Sequence, residues 1–218
     1  MPKRPIKSAA DLIPQRPTLT SVRAAAKGCR ACDLWKCGTQ TVFGEGAPRA
    51  AVMFVGEQPG NDEDVSGHPF VGPAGKLLDR ALADAGINRA DAYVTNVVKH
   101  FKWEPRGKRR IHKKPSAREV AACQPWLETE IALVKPRAIV CLGATAAQAL
   151  LGRAFRVTAH RGEFMPSPLA PLVLATVHPS SILRAPDDEA RHREMKLFTD
   201  DLRAVARALS SSLRSPSE

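Results

Sequence analysis

Residues 50–86 read AAVMFVGEQPGNDEDVSGHPFVGPAGKLLDRALADAG, and the change of texture along them decides the fold. The run 50–56 (AAVMFVG) is continuously apolar, as a strand buried on both faces is; a half-exposed strand would alternate. It breaks into a Gly-, Pro- and acid-rich loop, GEQPGNDED. A stretch at 73–85 follows whose apolar residues recur at helical spacing, with a proline in the position a first turn tolerates. The same alternation repeats downstream. Apolar runs at 92–98 (AYVTNVV), 138–143 (AIVCLG) and 172–177 (LVLATV) are separated by helical patterns at 116–134 and 144–151. A long polar helix is expected at 186–209. Ser116 and Glu119 carry the S-x-x-E spacing of a capping box at the start of the second of these helices. Strands alternating with helices predict an α/β domain, a three-layer sandwich around a central, mostly parallel four-stranded sheet. Ligands of such sheets bind outside the carboxyl ends of the strands. The loops after the first, second and fourth strands, GEQPGNDED, KHFKWEPRGKRRIHKKP and HPSSILR, should therefore converge on one crevice.

The chain has 218 residues, enough for one domain with a substantial core. Lys and Arg number 33 against 22 Asp and Glu, a formal charge of +11. That excess favours a polyanionic partner, because each neutralised phosphate releases condensed counterions. No apolar run approaches the roughly 20 residues needed to span a bilayer. The basic, Pro-rich start MPKRPIKSAADLIPQRP lacks the apolar stretch of a signal peptide. A cytoplasmic protein is expected, with no membrane association, no obligate protein partner and a monomeric state. Residues 1–18 read as a flexible basic arm and 210–218 as a disordered Ser-rich tail, leaving 19–209 as the folded unit.

Five cysteines in an intracellular chain point to metal or catalytic use before disulfides. Cys29 and Cys32 form C-x2-C ahead of the first strand, a spacing that suits zinc, an iron–sulfur cluster or nothing. His100, just past the second strand, and Cys123, in the following helix, could complete four ligands. Composition does not choose zinc from iron. Cys141 lies inside a strand and reads as a small buried thiol, and Cys37 is out of register with the pair.

Three segments then match a known pattern in order: GEQPGNDEDVSGHPFVGPAGKLLDRAL after the first strand, YVTNVVKHF at the second and VHPSSILR after the fourth. Together they resemble the family 4 uracil-DNA glycosylases, over about residues 27–207. The insertion GKRRIHKKP and the glutamine in GEQPG resemble the UdgX branch, which forms a stable covalent adduct with DNA after removing uracil. The resemblance implies a glycosylase-like domain over 19–209 acting on uracil-containing DNA, single-stranded and duplex, in a bacterial cytoplasm near the nucleoid. It also implies a 4Fe-4S cluster held by Cys29, Cys32, Cys123 and, where the ordinary family reads KC, His100. That cluster would be architectural.

The same resemblance assigns roles. An extruded base must be read by its polar edge, and the Asn96 amide complements uracil N3–H and O4. Phe70 would stack on the base, and Gly56, Gly60 and Gln58 would line its pocket, Gln58 narrowing the space for water. His178 would donate toward uracil O2 as negative charge develops. Glu57 would stabilise the sugar cation and orient His112, the nucleophile toward C1′, whose neutral form the surrounding cations of KRRIHKK favour. Lys99, Lys108, Arg109, Arg110, Ser180, Ser181 and Arg184 would contact DNA, with Ile182, Leu183 or Arg184 filling the gap left by the flipped nucleotide. The run Asp62, Glu63, Asp64 reads as a solvated loop. The alternatives are a glycosylase that turns over with water, and an iron–sulfur DNA-binding protein without catalysis.

Overall fold

The computed structural model describes residues 8–211. In chain order its elements are α1 (Leu19–Ala26), β1 (Glu45–Gly46), β2 (Val52–Gly56), α2 (Asn61–Ser66), α3 (Pro73–Asp84), β3 (Ala92–Asn96), β4 (Trp103–Arg106), β5 (Arg109–His112), α4 (Ala117–Val134), β6 (Ala138–Leu142), α5 (Ala144–Leu151), α6 (Val157–His160), β7 (Phe164–Met165), β8 (Leu172–Thr176), α7 (Pro179–Leu183) and α8 (Asp188–Ser211). The four expected strands are β2, β3, β6 and β8, and all their mutual pairings are parallel, in the order β3-β2-β6-β8.

Continuous apolar runs form these strands because each side of the sheet carries its own core. Met53 and Val55 of β2 face one cluster with Val22, Trp126 and Ile131, under α1 and α4. Val52 and Phe54 face a second cluster with Leu78, Leu82, Phe198 and Leu202, under α3 and α8. Burying each such side chain contributes roughly 1.5–3 kcal/mol, so a polar residue at any of these positions would act against both layers. Helix α4 begins as its sequence dictates, with Ser116 and Glu119 in a reciprocal capping box. The sheet is therefore the middle layer of a three-layer α/β sandwich.

The sheet is wider than expected. Two-residue strands β1 and β7 add antiparallel edges, making it six-stranded in the order β1-β3-β2-β6-β8-β7. The basic insertion, expected as a loop, folds as a separate antiparallel hairpin, β4–β5, with Gly107 in the left-handed region at its turn. The basic arm expected over 1–18 lies outside the described residues up to position 7. From Ser8 onward it is structured: Ser8 caps a 3-10 turn at Ala9–Leu12 that packs on α4, with Ala9 fully buried. Of the tail expected over 210–218, Ser210 and Ser211 complete α8 and the rest lies outside the described residues. Among the described residues no helix is long and apolar enough to cross a membrane.

Because β2 pairs with β3 on one side and β6 on the other, the chain reverses direction across the sheet between β2 and β6. The carboxyl ends of those two strands, at Gly56 and Leu142, define the switch point where a crevice opens in such folds.

Candidate active site

A cavity of about 590 Å³ lies at that switch point, lined by Glu57, Gln58, Phe70, Asn96, His112, Thr145, His178, Ser180 and Arg184 among others. The loops after β2, β3 and β8 converge there, and so does the start of α5, just after β6, which brings Thr145.

Gly56 and Asn96 are paired in register at the ends of β2 and β3. Any Cβ at Gly56 would overlap Asn96 Oδ1 and Phe70 Cζ, so Gly56 shapes the cavity by letting an amide and a ring close over its backbone. Asn96 is buried, and among the described residues nothing hydrogen-bonds its side-chain amide. The amide opens onto the cavity, where it is free to meet a ligand. Phe70 sits in the left-handed backbone region at φ 58°, unusual for an aromatic residue. Its carbonyl lies where a Cβ on Gly75 would be, so the conformation depends on that glycine. Its ring lies 6.4 Å from the His178 ring at an interplanar angle of 29°.

His178 is the N-cap of α7, and its Nδ1 accepts the Ser180 backbone N–H at 3.1 Å. A backbone N–H only donates, so Nδ1 is unprotonated and Nε2 carries the hydrogen. Burial, reinforced by Arg184 and His112, pushes its pKa down to about 4. His178 is thus a neutral N–H donor beside the cavity.

His112, at the end of β5, is half-exposed, with Nε2 3.5 Å from Glu57 Oε1. Its pKa is lowered first by burial and further by Arg184, against the opposing pull of Glu57. The neutral form therefore owes most to desolvation, with Arg184 the cation that adds to it. The other oxygen of Glu57 accepts a hydrogen bond from Thr145 Oγ1.

The hairpin carrying His112 is fastened to the body. Gln58 Nε2 donates to the carbonyls of Lys102 and Lys113, at 3.1 and 3.2 Å, and its Oε1 accepts from Lys102 N–H. These residues flank β4 and β5, so one side chain clasps both stems. Gln58 lines the cavity, as expected, and its amide is committed to backbone. The expectation for Arg110 is corrected. Its guanidinium bonds Asp64 Oδ2 at 2.6 Å and Asn61 Oδ1 at 2.8 Å, and lies over the Phe101 and Trp103 rings at 5.5 Å each. It anchors the hairpin to α2 and is not available to phosphate.

Lys99 does not contact DNA either. It is fully buried, and its Nζ bonds Glu130 Oε2 at 2.5 Å, Thr95 Oγ1 at 2.6 Å and the Asn96 carbonyl at 2.7 Å. Lys108 and Arg109 are exposed at the hairpin tip. Ser180 and Arg184 line the cavity, and Ser181 is exposed with its hydroxyl on the His178 carbonyl at 2.7 Å.

Of the acidic run, Asp62 is exposed as expected, whereas Glu63 and Asp64 are buried structural devices. Glu63 accepts from Gly60 N–H with one oxygen and from Gly72 N–H with the other, at 3.0 and 2.8 Å. It thereby joins the loop after β2 to the start of α3. Asp64 is fully buried and also accepts the Thr39 N–H at 2.8 Å. Sequence reading missed Glu63, Asp64 and Thr145. Thr145 was within reach, since the rule that picked the other strand ends applies equally to the third.

Cys29, Cys32 and Cys123 share one neighbourhood, close enough that a thiolate at one would raise the pKa of another. Burial pushes Cys32 up to about 11 and Cys123 up to about 12, so as thiols they hold no charge. Cys123 Sγ accepts the Lys99 backbone N–H and Cys29 Sγ the Trp126 indole N–H, at 3.3 and 3.4 Å. His100 is buried, its Nε2 3.0 Å from Thr41 Oγ1, and burial lowers its pKa. Among the described residues no three His, Cys, Asp or Glu side chains close around a single metal ion. Three soft thiols and one neutral imidazole are donors that suit an iron–sulfur cluster or a tetrahedral zinc ion alike.

Comparison with known proteins agrees with this arrangement. The sequence model of the uracil DNA glycosylase superfamily matches residues 43–203. The chain is 38% identical to a type-4 uracil-DNA glycosylase of Pyrobaculum aerophilum over 175 residues, covering 77% of this chain and 86% of the relative. It is 40% identical to the type-4 enzyme of Thermotoga maritima over 171 residues, covering 78% and 85% respectively. A type-5 uracil-DNA glycosylase of Pyrobaculum aerophilum is 31% identical over 183 residues, 76% of this chain and 77% of the relative. The match runs from the segment before β1 into α8 and takes in every strand end that lines the cavity, and by it the chain belongs to the uracil DNA glycosylase superfamily.

Proposed function

We propose that this protein excises uracil from DNA and captures the resulting sugar on His112, in the manner of the UdgX branch. The observation that carries the reading is His112 Nε2 at 3.5 Å from Glu57 Oε1, on the wall of a cavity that also holds Asn96, Phe70 and the neutral His178. Asn96 offers one donor and one acceptor to uracil N3–H and O4, and the Phe70 ring supplies the stacking face. As the C1′–N1 bond breaks, its electron pair leaves with uracil, and His178 Nε2–H stabilises the anion at O2. Glu57 stabilises the positive charge that develops at C1′. The Nε2 lone pair of neutral His112 then forms the bond to C1′, and the proton on Nδ1 remains. The product is an alkylated imidazolium paired with the Glu57 carboxylate, plus the uracil anion, which takes a proton from solvent. The imidazolium then gives its Nδ1 proton to solvent; the neutral alkylated imidazole could depart only as an imidazolide, a poorer leaving group than the uracil anion, so the adduct persists and the enzyme turns over once. Lys108, Arg109, Ser180, Ser181 and Arg184 hold the flanking phosphates.

Cys29, Cys32 and Cys123, with His100 as the fourth ligand, would hold a 4Fe-4S cluster. Bound there, it supplies no step of base removal and ties the segment before β1 to α4.

The test is a denaturing gel with a single-stranded oligonucleotide carrying one deoxyuridine. The wild-type protein should give a shifted band that survives denaturant, and His112→Ser should lose that band while still releasing uracil. Free abasic product from wild-type protein, with no shifted band, would falsify capture by His112.

A further inference from the structure

We propose that Thr145 is a positioning residue for this reaction: its hydroxyl pins one oxygen of Glu57 so that the other faces His112. The inference rests on the function proposed above and deepens it. Glu57 follows β2 and Thr145 follows β6, the two strands that diverge at the switch point. Thr145 Oγ1 donates to Glu57 Oε2, while Glu57 Oε1 is the atom 3.5 Å from His112 Nε2. The carboxylate thus has one oxygen tethered to the fixed start of a helix and one left for chemistry.

The tether is needed because Glu57 is otherwise free to turn. Its side chain is 22% exposed and borders the cavity of about 590 Å³. Among the described residues no hydrogen bond other than Thr145's holds its carboxylate, and a glutamate loses substantial rotamer entropy when fixed. Thr145 is itself nearly buried, so its hydroxyl does not serve DNA phosphates. Its place on α5, packed by Ala146 and Ala147 into the core, makes it a rigid fixture. A carboxylate held in the attack geometry before substrate arrives incurs no reorganisation cost at the moment of bond breaking. Thr145 touches neither base nor sugar in this account. Its effect belongs to the rate at saturation and not to DNA affinity.

The experiment compares full-length wild-type protein, as purified, with Thr145→Val, which keeps the shape and removes the hydroxyl, and with Thr145→Ser, which keeps the hydroxyl. Single-turnover uracil release and adduct formation are followed on single-stranded deoxyuridine oligonucleotide over a range of protein concentrations. Thr145→Val should lower the limiting rate about tenfold, the worth of one hydrogen bond to a charged group, with the half-saturating concentration unchanged. Thr145→Ser should restore it. A Thr145→Val protein reacting at the wild-type rate overturns the proposal. So does a loss that serine fails to restore, or one matched by an equal loss of DNA affinity. Should wild-type protein release uracil without forming adduct, capture by His112 fails, and the release rate alone still decides the role of Thr145.

Discussion

Replacing Lys99 by methionine should unfold the protein more easily and leave its grip on DNA unchanged. Lys99 and Glu130 form an ion pair with side-chain exposures of 1% and 0%. Removing one partner of such a pair leaves an uncompensated buried charge, at a cost of roughly 3–5 kcal/mol. Glu130 would keep three neutral donors, from Tyr93, Thr95 and the Gly44 backbone, at 2.9–3.0 Å. The lower end, about 3 kcal/mol, is therefore expected. For a domain of this size each kcal/mol moves the midpoint about 2–4 °C, so Tm should fall by about 6–12 °C. Lys99→Met/Glu130→Leu should recover most of that loss, because it removes the orphaned charge too. Thermal unfolding by circular dichroism measures the first quantity, and the salt dependence of single-strand binding the second. A lysine that contacts phosphate contributes about 0.7 to the slope of log K against log salt, whereas a buried one contributes none. An unchanged Tm together with a shallower salt slope would refute the buried-pair account.

The lowered pKa of His112 sets the acid limit of capture. If the neutral ring attacks as proposed, adduct formation should hold its plateau as pH falls through the ordinary histidine value of 6.5 and decline only below it. A pH series of single-turnover rates that loses half its value at or above that pH contradicts the geometry. Cys123→Ala should lose bound iron and lower Tm, whereas Cys141→Ala, whose thiol is buried inside β6 away from the other cysteines, should retain it; iron analysis of both proteins decides. Equal iron in the two variants would remove Cys123 from the ligand set.

Much of the fold is legible in the chain because both faces of the sheet are covered. A strand with two cores must be apolar throughout, so β2, β3, β6 and β8 announce themselves, whereas the two-residue edges β1 and β7 carry too few side chains to leave a signal. The hairpin was hidden for a related reason. Its inward residues, Phe101, Trp103, Arg110 and His112, pack on each other and not on the main core, so no apolar period marks it. Charge was the least legible property. Lys99, Glu63 and Asp64 look solvated in a list of residues, and only the folded chain supplies the carboxylate, backbone N–H groups and guanidinium that let them be buried. The cavity residues Asn96, Phe70 and His178 were found because strand ends and loop motifs locate them. Thr145 went unread because its stretch, GATAA, reads as the plain start of a helix, which it is.

The β4–β5 hairpin shares no strand pairing with the main sheet and is held by Gln58 across its stems and by Arg110 on Asp64. On the function proposed above, the groups that would read the base sit on the sheet ends, and the group that would hold the sugar sits on an appendage joined to them by side chains alone. The two tasks could then be uncoupled: loosening the clasp at Gln58 or Arg110 would free the hairpin while leaving the ends of the sheet as they are.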